Sequence, residues 1–110
     1  MTTKIESMAD GIRVTGEMTV YTASEIKQPL LDAIADGAAN VQLDLSGVSE
    51  FDTAGVQLLL LVHREALLTG RNLQLGTQSN IVREVLSLCG ALGLLMDASN
   101  IIWRAVHEHG

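Results

Sequence analysis

The stretch VQLDLSGVSEFDTAGVQLLLL, residues 41–61, constrains the fold more than any other part of the chain. Its apolar residues alternate with polar ones over residues 41–45, which predicts a strand buried more on one face than on the other. We expect a turn at Ser46-Gly47. The leucines that follow are too dense for a half-exposed helix, so a largely buried central helix is predicted from Ala54 until Gly70 ends it.

The segments before this stretch predict a hairpin and a first helix. Residues 5–8 and the segment that begins at Gly11 are expected to pair, because Asp10-Gly11 is a good hairpin turn signal. Thr22 followed by Glu25 matches a capping box at a helix start. Pro29 leaves two alternatives open, since it either kinks this helix or marks a later start.

The segments after the central helix continue the alternation of predicted strands and helices. Leu73 and Leu75 indicate a short strand, and apolar residues at helical spacing from Asn80 indicate another helix. Residues 94–96 suit a final edge strand, and residues 101–106 suit a short terminal helix.

The resulting order, β-β-α-β-α-β-α-(β)-α, implies parallel crossovers. We therefore predict an α/β fold, with one domain over residues 1–110. Its mixed four- or five-stranded β-sheet is packed with about four helices. The lone Trp103 of the last predicted helix either closes the core or anchors a partner, and the sequence does not separate these two roles.

The charge balance limits the partners that this chain can bind. The sequence has 13 acidic and 7 basic residues, a formal net charge of −6, and its basic residues are scattered. This pattern argues against nucleic acid and anionic membrane as direct ligands. A single Phe, Trp and Tyr argue against a base-stacking surface. The longest unbroken apolar run, residues 58–62, is too short to span a bilayer, so no direct membrane insertion is expected.

The N-terminus and the cysteine content predict a cytoplasmic protein. Residues 1–10 are polar and lack the apolar stretch of a signal peptide. Cys89 has no second cysteine to pair with, and its leucine neighbours predict a buried thiol in a reducing compartment.

No catalytic or metal-binding motif can be assembled from neighbouring residues. The histidines are His63, His107 and His109; the first is expected at the surface of the central helix, and the other two in a frayed tail. The sequence has no Gly-rich phosphate loop, no zinc-spaced Cys/His set and no nucleophile with its own histidine base. We therefore expect no enzyme activity, no cofactor and no metal.

The start of the central helix is the most informative candidate site. Asp52 or Thr53 can accept hydrogen bonds from the free backbone N–H groups there. Capping does not explain Gly55 in the first turn, because glycine costs about 1 kcal/mol relative to alanine in a helix. A close approach by another backbone would explain it. A phosphate on Thr53 would add about −1.5 to −2 charges beside Asp52, which is the physical basis of a binding switch.

The segment LDLSGVSEFDTAGVQLLL closely resembles the motif of STAS domains, the family of bacterial anti-sigma-factor antagonists. The resemblance spans the chain in element order, with GIRVTGEM similar to the early strand and its Gly-Glu turn. It implies that Thr53 is a phospho-acceptor for a partner serine/threonine kinase, an anti-sigma factor whose ATP-binding fold is related to that of histidine kinases.

The resemblance also implies a set of partner-binding residues at this site, namely Asp44, Gly47, Asp52, Thr53 and Gly55. One departure concerns the turn after Gly16-Glu17, where the family commonly has a hydrophobic residue and Asp. This chain has Met18-Thr19 instead, so a carboxylate that could assist kinase docking is missing.

Two alternatives follow from the same sequence. In one, the chain is a constitutive STAS subunit of a membrane-lipid ABC transport complex and docks on its ATPase without phosphorylation. In the other, it is a small-ligand sensor or an unrecognised enzyme, which a tight ligand carried through purification would reveal.

Overall fold

A computed structural model describes residues 3–90 of the chain. Its elements, in chain order, are β1 (Lys4–Ser7), β2 (Gly11–Met18), α1 (Ala23–Ala35), β3 (Asn40–Phe51), α2 (Thr53–Leu68), β4 (Asn72–Gln78) and α3 (Asn80–Leu88). The sheet order is β1-β2-β3-β4, with β1 antiparallel to β2 and the other pairs parallel. The predicted mixed α/β sheet is confirmed, with three helices over the described residues where about four were predicted for the chain.

Several predicted features lie outside the described residues. These are the edge strand over 94–96, the terminal helix over 101–106, Trp103, His107 and His109. Within residues 3–90, no helix is long and apolar enough to cross a membrane.

The hairpin of β1 and β2 is confirmed, but its turn differs from the predicted Asp-Gly turn. Residues 8–10 connect the strands, and the N–H of Met8 donates to the Gly11 carbonyl oxygen at 2.6 Å. Gly11 already belongs to β2, where it pairs with Gln42 of β3. The close strand pairing, not a left-handed turn, accounts for this glycine.

Helix α1 begins where expected, although the predicted capping box does not form. Thr22 is the N-cap residue, but its side chain makes no capping bond, because Oγ1 donates to the Glu17 carbonyl oxygen at 3.0 Å. Pro29 lies inside the helix, so the later start is wrong. Proline lacks an N–H, so the carbonyl of Glu25 loses its usual helical donor. The buried face carries Ile26, Leu30 and Ile34.

The turn predicted at Ser46-Gly47 does not form. Strand β3 continues through these residues to Phe51. Its register against β2 steps from Arg13↔Asp44 to Thr15↔Gly47, which places one extra residue on β3. The backbone N–H of Ser46 donates to Asp44 Oδ1 at 2.8 Å within this bulge. A β-bulge of this kind bends the strand without ending it.

A second register shift lies at Gly16 of β2, whose φ of +99° is a conformation that glycine adopts without strain. The Gly-Glu pair is thus an irregularity within the strand and not a turn. Val48, between the two shifts, and Phe51, after the second, are both buried. The strand therefore delivers its carboxyl end, and the start of α2, close to the end of β2.

Helix α2 is the predicted central helix, but it is less buried than predicted, since seven of its 16 residues are buried and Leu60 and Leu68 are exposed. Gly70 follows its end with φ +79°. Apolar residues of the strands alternate with polar ones, and the helices cover the apolar face. The core consists of Ile12, Val14, Met18, Ile26, Leu30, Ile34, Val41, Leu43, Leu45, Val48, Phe51, Val56, Leu58, Leu59, Val62, Ala66, Leu73, Val82 and Leu86.

The prediction of a buried Cys89 is wrong, because this thiol is exposed. Cys89 is the C-cap residue of α3, one position beyond the last helical residue. The buried face of that helix is carried by Val82 and Leu86 instead.

Candidate functional site

The start of α2 is built around the side chain of Asp52. Asp52 has extended backbone angles, and its Oδ1 accepts from the N–H groups of Ala54 at 2.9 Å and Gly55 at 3.3 Å. The capping role considered for Asp52 or Thr53 therefore belongs to Asp52. Thr53 is the first residue of the helix and is exposed. Within the described part of the chain, its hydroxyl makes no hydrogen bond.

The second oxygen of the same carboxylate reaches a different part of the chain. Oδ2 of Asp52 accepts from the backbone N–H of Val20 at 3.0 Å. Val20 belongs to the four-residue loop 19–22, which connects β2 to α1. One carboxylate thus caps α2 and holds this loop against the helix start.

Gly55 brings the end of β2 into contact with α2. A Cβ at this position would lie 2.6 Å from the Met18 carbonyl oxygen and 2.6 Å from Cε1 of Phe51. Contacts this short are not tolerated by a backbone carbonyl or a packed ring, so only glycine fits. The predicted close approach by another backbone is confirmed. The ends of β2 and β3 and the first turn of α2 form one closely packed unit.

Loop 19–22 presents two apolar side chains that the sequence did not mark as functional. Val20 is 64% exposed and Tyr21 is 84% exposed. The sequence does contain a signal for this exposure. The Val-Tyr pair lies between a strand pattern and a helix pattern and fits neither of them. Thr19, where the family commonly has a carboxylate, is only 6% exposed, and its Oγ1 accepts from the N–H of Tyr21 at 3.3 Å.

Asp44 lies away from the start of α2. Its Oδ2 accepts from Arg13 Nε at 3.1 Å, and hydrogen bonds from Ser46 hold the pKa of this carboxyl below its usual value, with Arg13 adding to the effect and burial opposing it. Arg13 and Asp44 are register partners, as are Met18 and Phe51. The two pairs are separated by about 16 Å along β2, at roughly 3.3 Å per residue.

Gly47 occupies an intermediate place on β3, opposite Thr15 of β2. A Cβ there would lie 2.5 Å from the Thr15 Cγ2 atom. The structure therefore brings Asp52, Thr53 and Gly55 together at one point, and it leaves Gly47 and Asp44 progressively further back along the strand.

The expectation that His63 lies at the helix surface is wrong. His63 is only 3% exposed, and neither ring nitrogen has a hydrogen-bond partner among residues 3–90. Burial lowers the pKa of this imidazole below 6.5, and nearby backbone groups of His63 and Leu73 oppose the shift. His63 lies about 15 Å along the helix from Thr53, at roughly 1.5 Å per residue. It is too far away to act as a base for that hydroxyl.

A shallow groove lies beside the site, between the N-terminal parts of α1 and α2. Its volume is about 260 Å³, and it is lined by Ala23, Ser24, Lys27, Ala54, Gln57, Leu58 and Leu61. The described residues hold no group of three His, Cys, Asp or Glu side chains that could bind a metal ion. The site therefore offers an open surface with an exposed hydroxyl and apolar side chains.

Comparison with known proteins identifies the family. The family model described as "Mlab, STAS domain" matches residues 1–96. The chain therefore belongs to the STAS domain family.

Two solved structures share the fold. One is the anti-sigma factor antagonist SpoIIAA in its unphosphorylated form, with 23% identity, a TM-score of 0.63 and 82% of each chain covered. The other is an anti-sigma factor antagonist from Mycobacterium paratuberculosis, with 24% identity, a TM-score of 0.65, and 81% of this chain and 77% of that chain covered.

Proposed function

We propose that this chain is a non-enzymatic regulator of the anti-sigma-factor-antagonist type. It binds an anti-sigma factor that is a serine/threonine kinase with a histidine-kinase-like ATPase fold, and phosphorylation of Thr53 switches the binding. We assign the protein to the bacterial cytoplasm. The observation that carries the proposal is the exposed Thr53 hydroxyl at the first residue of α2, beside the apolar loop 19–22. The fold shared with an antagonist solved in its unphosphorylated form supports the switch.

The surroundings of Thr53 support its role as a phosphate acceptor in a partner's reaction and not as the nucleophile of a catalytic site of its own. The carboxylate of the adjacent Asp52 is engaged by three backbone N–H groups. His63 is buried further along the helix. An activated nucleophile needs a base within hydrogen-bond reach. The base for phosphoryl transfer must therefore come from the partner kinase.

The switch follows from charge. The N-terminus of a helix tolerates a phosphate, because the free N–H groups and the helix dipole favour negative charge. A partner that closes over Thr53 would have to bury about −1.5 to −2 added charges beside Asp52. We therefore expect the unphosphorylated protein to bind the partner and the phosphorylated protein to release it.

Phosphate transfer tests the assignment of Thr53. A purified kinase of this fold from the same genome should transfer phosphate from ATP to the wild-type chain and not to Thr53→Ala. The substitution leaves the Asp52 cap intact, so it should cost at most about 0.5 kcal/mol of stability. Thr77→Ala, which removes an exposed hydroxyl from β4, is the control and should accept phosphate normally. Equal incorporation into Thr53→Ala would reject the site.

Calorimetric titration with the same kinase tests the direction of the switch. Thr53→Glu should weaken binding by about 1 to 3 kcal/mol, or roughly five- to 150-fold, because the interface buries an unmatched charge. Thr77→Glu adds the same charge elsewhere and should bind like the wild type. If the wild type instead binds an ABC transporter ATPase and no kinase phosphorylates Thr53, the constitutive-subunit alternative is correct.

A further inference from the structure

We propose that Val20 and Tyr21, which together we name the VY tip, anchor the partner protein by entering an apolar pocket rimmed by lysine and arginine side chains. This inference rests on the proposed function, since it specifies the partner surface that meets the Thr53 site. The tip touches that site directly, because Asp52 Oδ2 accepts from the Val20 N–H.

The backbone of the tip is fixed by hydrogen bonds at every position. The N–H of Thr19 donates to Thr22 Oγ1 at 3.0 Å, that of Val20 to Asp52, and that of Tyr21 to Thr19 Oγ1. The N–H groups of Thr22 and Ala23 both donate to the Thr19 carbonyl oxygen, at 3.0 and 2.8 Å.

This network has an energetic consequence for binding. A fixed loop loses little conformational entropy when a partner orders it, so the apolar area of the VY tip contributes to affinity with little cost. Tyrosine is also enriched among residues that dominate interface energies. A rigid loop that exposes a tyrosine and a valine side by side is thus suited to anchoring.

The groove between α1 and α2 adds apolar side chains near the tip. Ala23 follows the tip in the chain and lines this groove with Ala54, Leu58 and Leu61, together with the polar Ser24, Lys27 and Gln57. The tip, the exposed Thr53 and this groove thus all lie at the start of α2, where Asp52 holds the loop. One partner face can cover all three.

Charge around the tip selects the kind of partner. Glu17 and Glu50 are register partners at the ends of β2 and β3, and Asp52 follows Glu50 by two positions. The ion pairs over residues 3–90 are Lys4–Glu6 and Arg13–Asp44, so none of these three carboxylates forms an ion pair with a described cation. A second copy of this chain would bring the same carboxylates and a formal charge of −6. Like charges oppose that pairing and contact with an anionic bilayer, whereas a basic protein surface is attracted.

Titration calorimetry with the purified kinase tests the anchor. Tyr21→Ser should weaken binding at least about 30-fold, and Tyr21→Phe, which keeps the ring, should stay within about threefold of the wild type. Leu68→Gln is the matched control, because Leu68 is 68% exposed at the opposite end of α2, and it should bind normally. Glu50→Gln should weaken binding and reduce its dependence on salt concentration.

The outcomes separate this inference from the proposed function. Normal binding by folded Tyr21→Ser, together with weakened binding by Thr53→Glu, would overturn the anchor and leave the proposed function standing. Wild-type binding to phosphatidylglycerol vesicles that Tyr21→Ser abolishes would show that the tip meets a membrane and would overturn the protein partner. A wild type that binds no such kinase would overturn the proposed function and the inference together.

Discussion

Asp52→Asn separates the two roles of the Asp52 carboxylate, which caps α2 and holds the VY tip. The amide keeps one oxygen that can accept from Ala54 and Gly55, and Asn caps helices about as well as Asp. The other position becomes an NH₂ group, which cannot accept from the N–H of Val20. The helix cap should therefore survive while the bond to the VY tip is lost.

The structure sets the size of the effect. The lost bond to Val20 is worth about 0.5 to 1.5 kcal/mol, and the Val20 N–H can turn to water because the pair is exposed. Loss of the negative charge at the start of α2 adds about 0.3 to 1 kcal/mol. The sum, about 0.8 to 2.5 kcal/mol, corresponds to a melting temperature lower by at least about 3 °C for a domain of this size. Asp52→Ala, which also removes the cap, should lose a further 0.5 to 2 kcal/mol or so.

Residue-resolved hydrogen exchange provides the decisive assay. In Asp52→Asn, the Val20 amide should exchange faster relative to the wild type, whereas the Ala54 and Gly55 amides should keep their protection. Phosphate transfer and kinase binding by the same variant then report whether the tip must be held for function. Unchanged protection of Val20, or equal loss at all three amides, would refute the assignment of one oxygen to the tip and one to the cap.

Two further predictions concern the stability that depends on the buried residues Gly55 and His63. Gly55→Ala should destabilise the fold by about 1 to 3 kcal/mol in urea unfolding, because its Cβ meets the Met18 carbonyl and the Phe51 ring; a more stable variant would refute the close approach. The lowered pKa of His63 means that the unfolded state binds more protons below pH 6.5, so this residue should remove stability as the pH falls from 6.5 toward its folded pKa, by up to about 1.4 kcal/mol per pKa unit. His63→Leu should flatten that part of the stability profile, and an identical slope in both proteins would contradict the assignment.

Features that depend on local spacing could be predicted from the sequence. The alternation over residues 41–45, the dense leucines of α2 and the glycine that ends it each reflect a rule that acts within one element. Gly55 was predictable for a different reason. A glycine in the first turn of an otherwise strong helix is unfavourable by itself, so its presence pointed to a close neighbour even though that neighbour was unknown.

Features that depend on strand register could not be predicted. The bulge near Ser46 resembles a turn in the sequence, because a polar residue before glycine suits both. Only the pairing with β2 shows that the strand continues through this bulge. The same register determines how far Asp44 lies from Asp52, a separation that sequence distance does not give. Burial of His63 and exposure of the VY tip likewise depend on which faces the packed elements leave open.

The packing around Gly55 and the exposure of Tyr21 together allow stability and binding to be tested separately. Any change that moves the first turn of α2 also moves Asp52, and through it the N–H of Val20, so a defect in Gly55→Ala mixes folding with function. Tyr21 is different, because its side chain is 84% exposed and its backbone is held by Thr19. Removing the ring leaves the hydrogen bonds of the loop in place. A loss of affinity in Tyr21→Ser at unchanged melting temperature can therefore arise only from the surface that the partner meets.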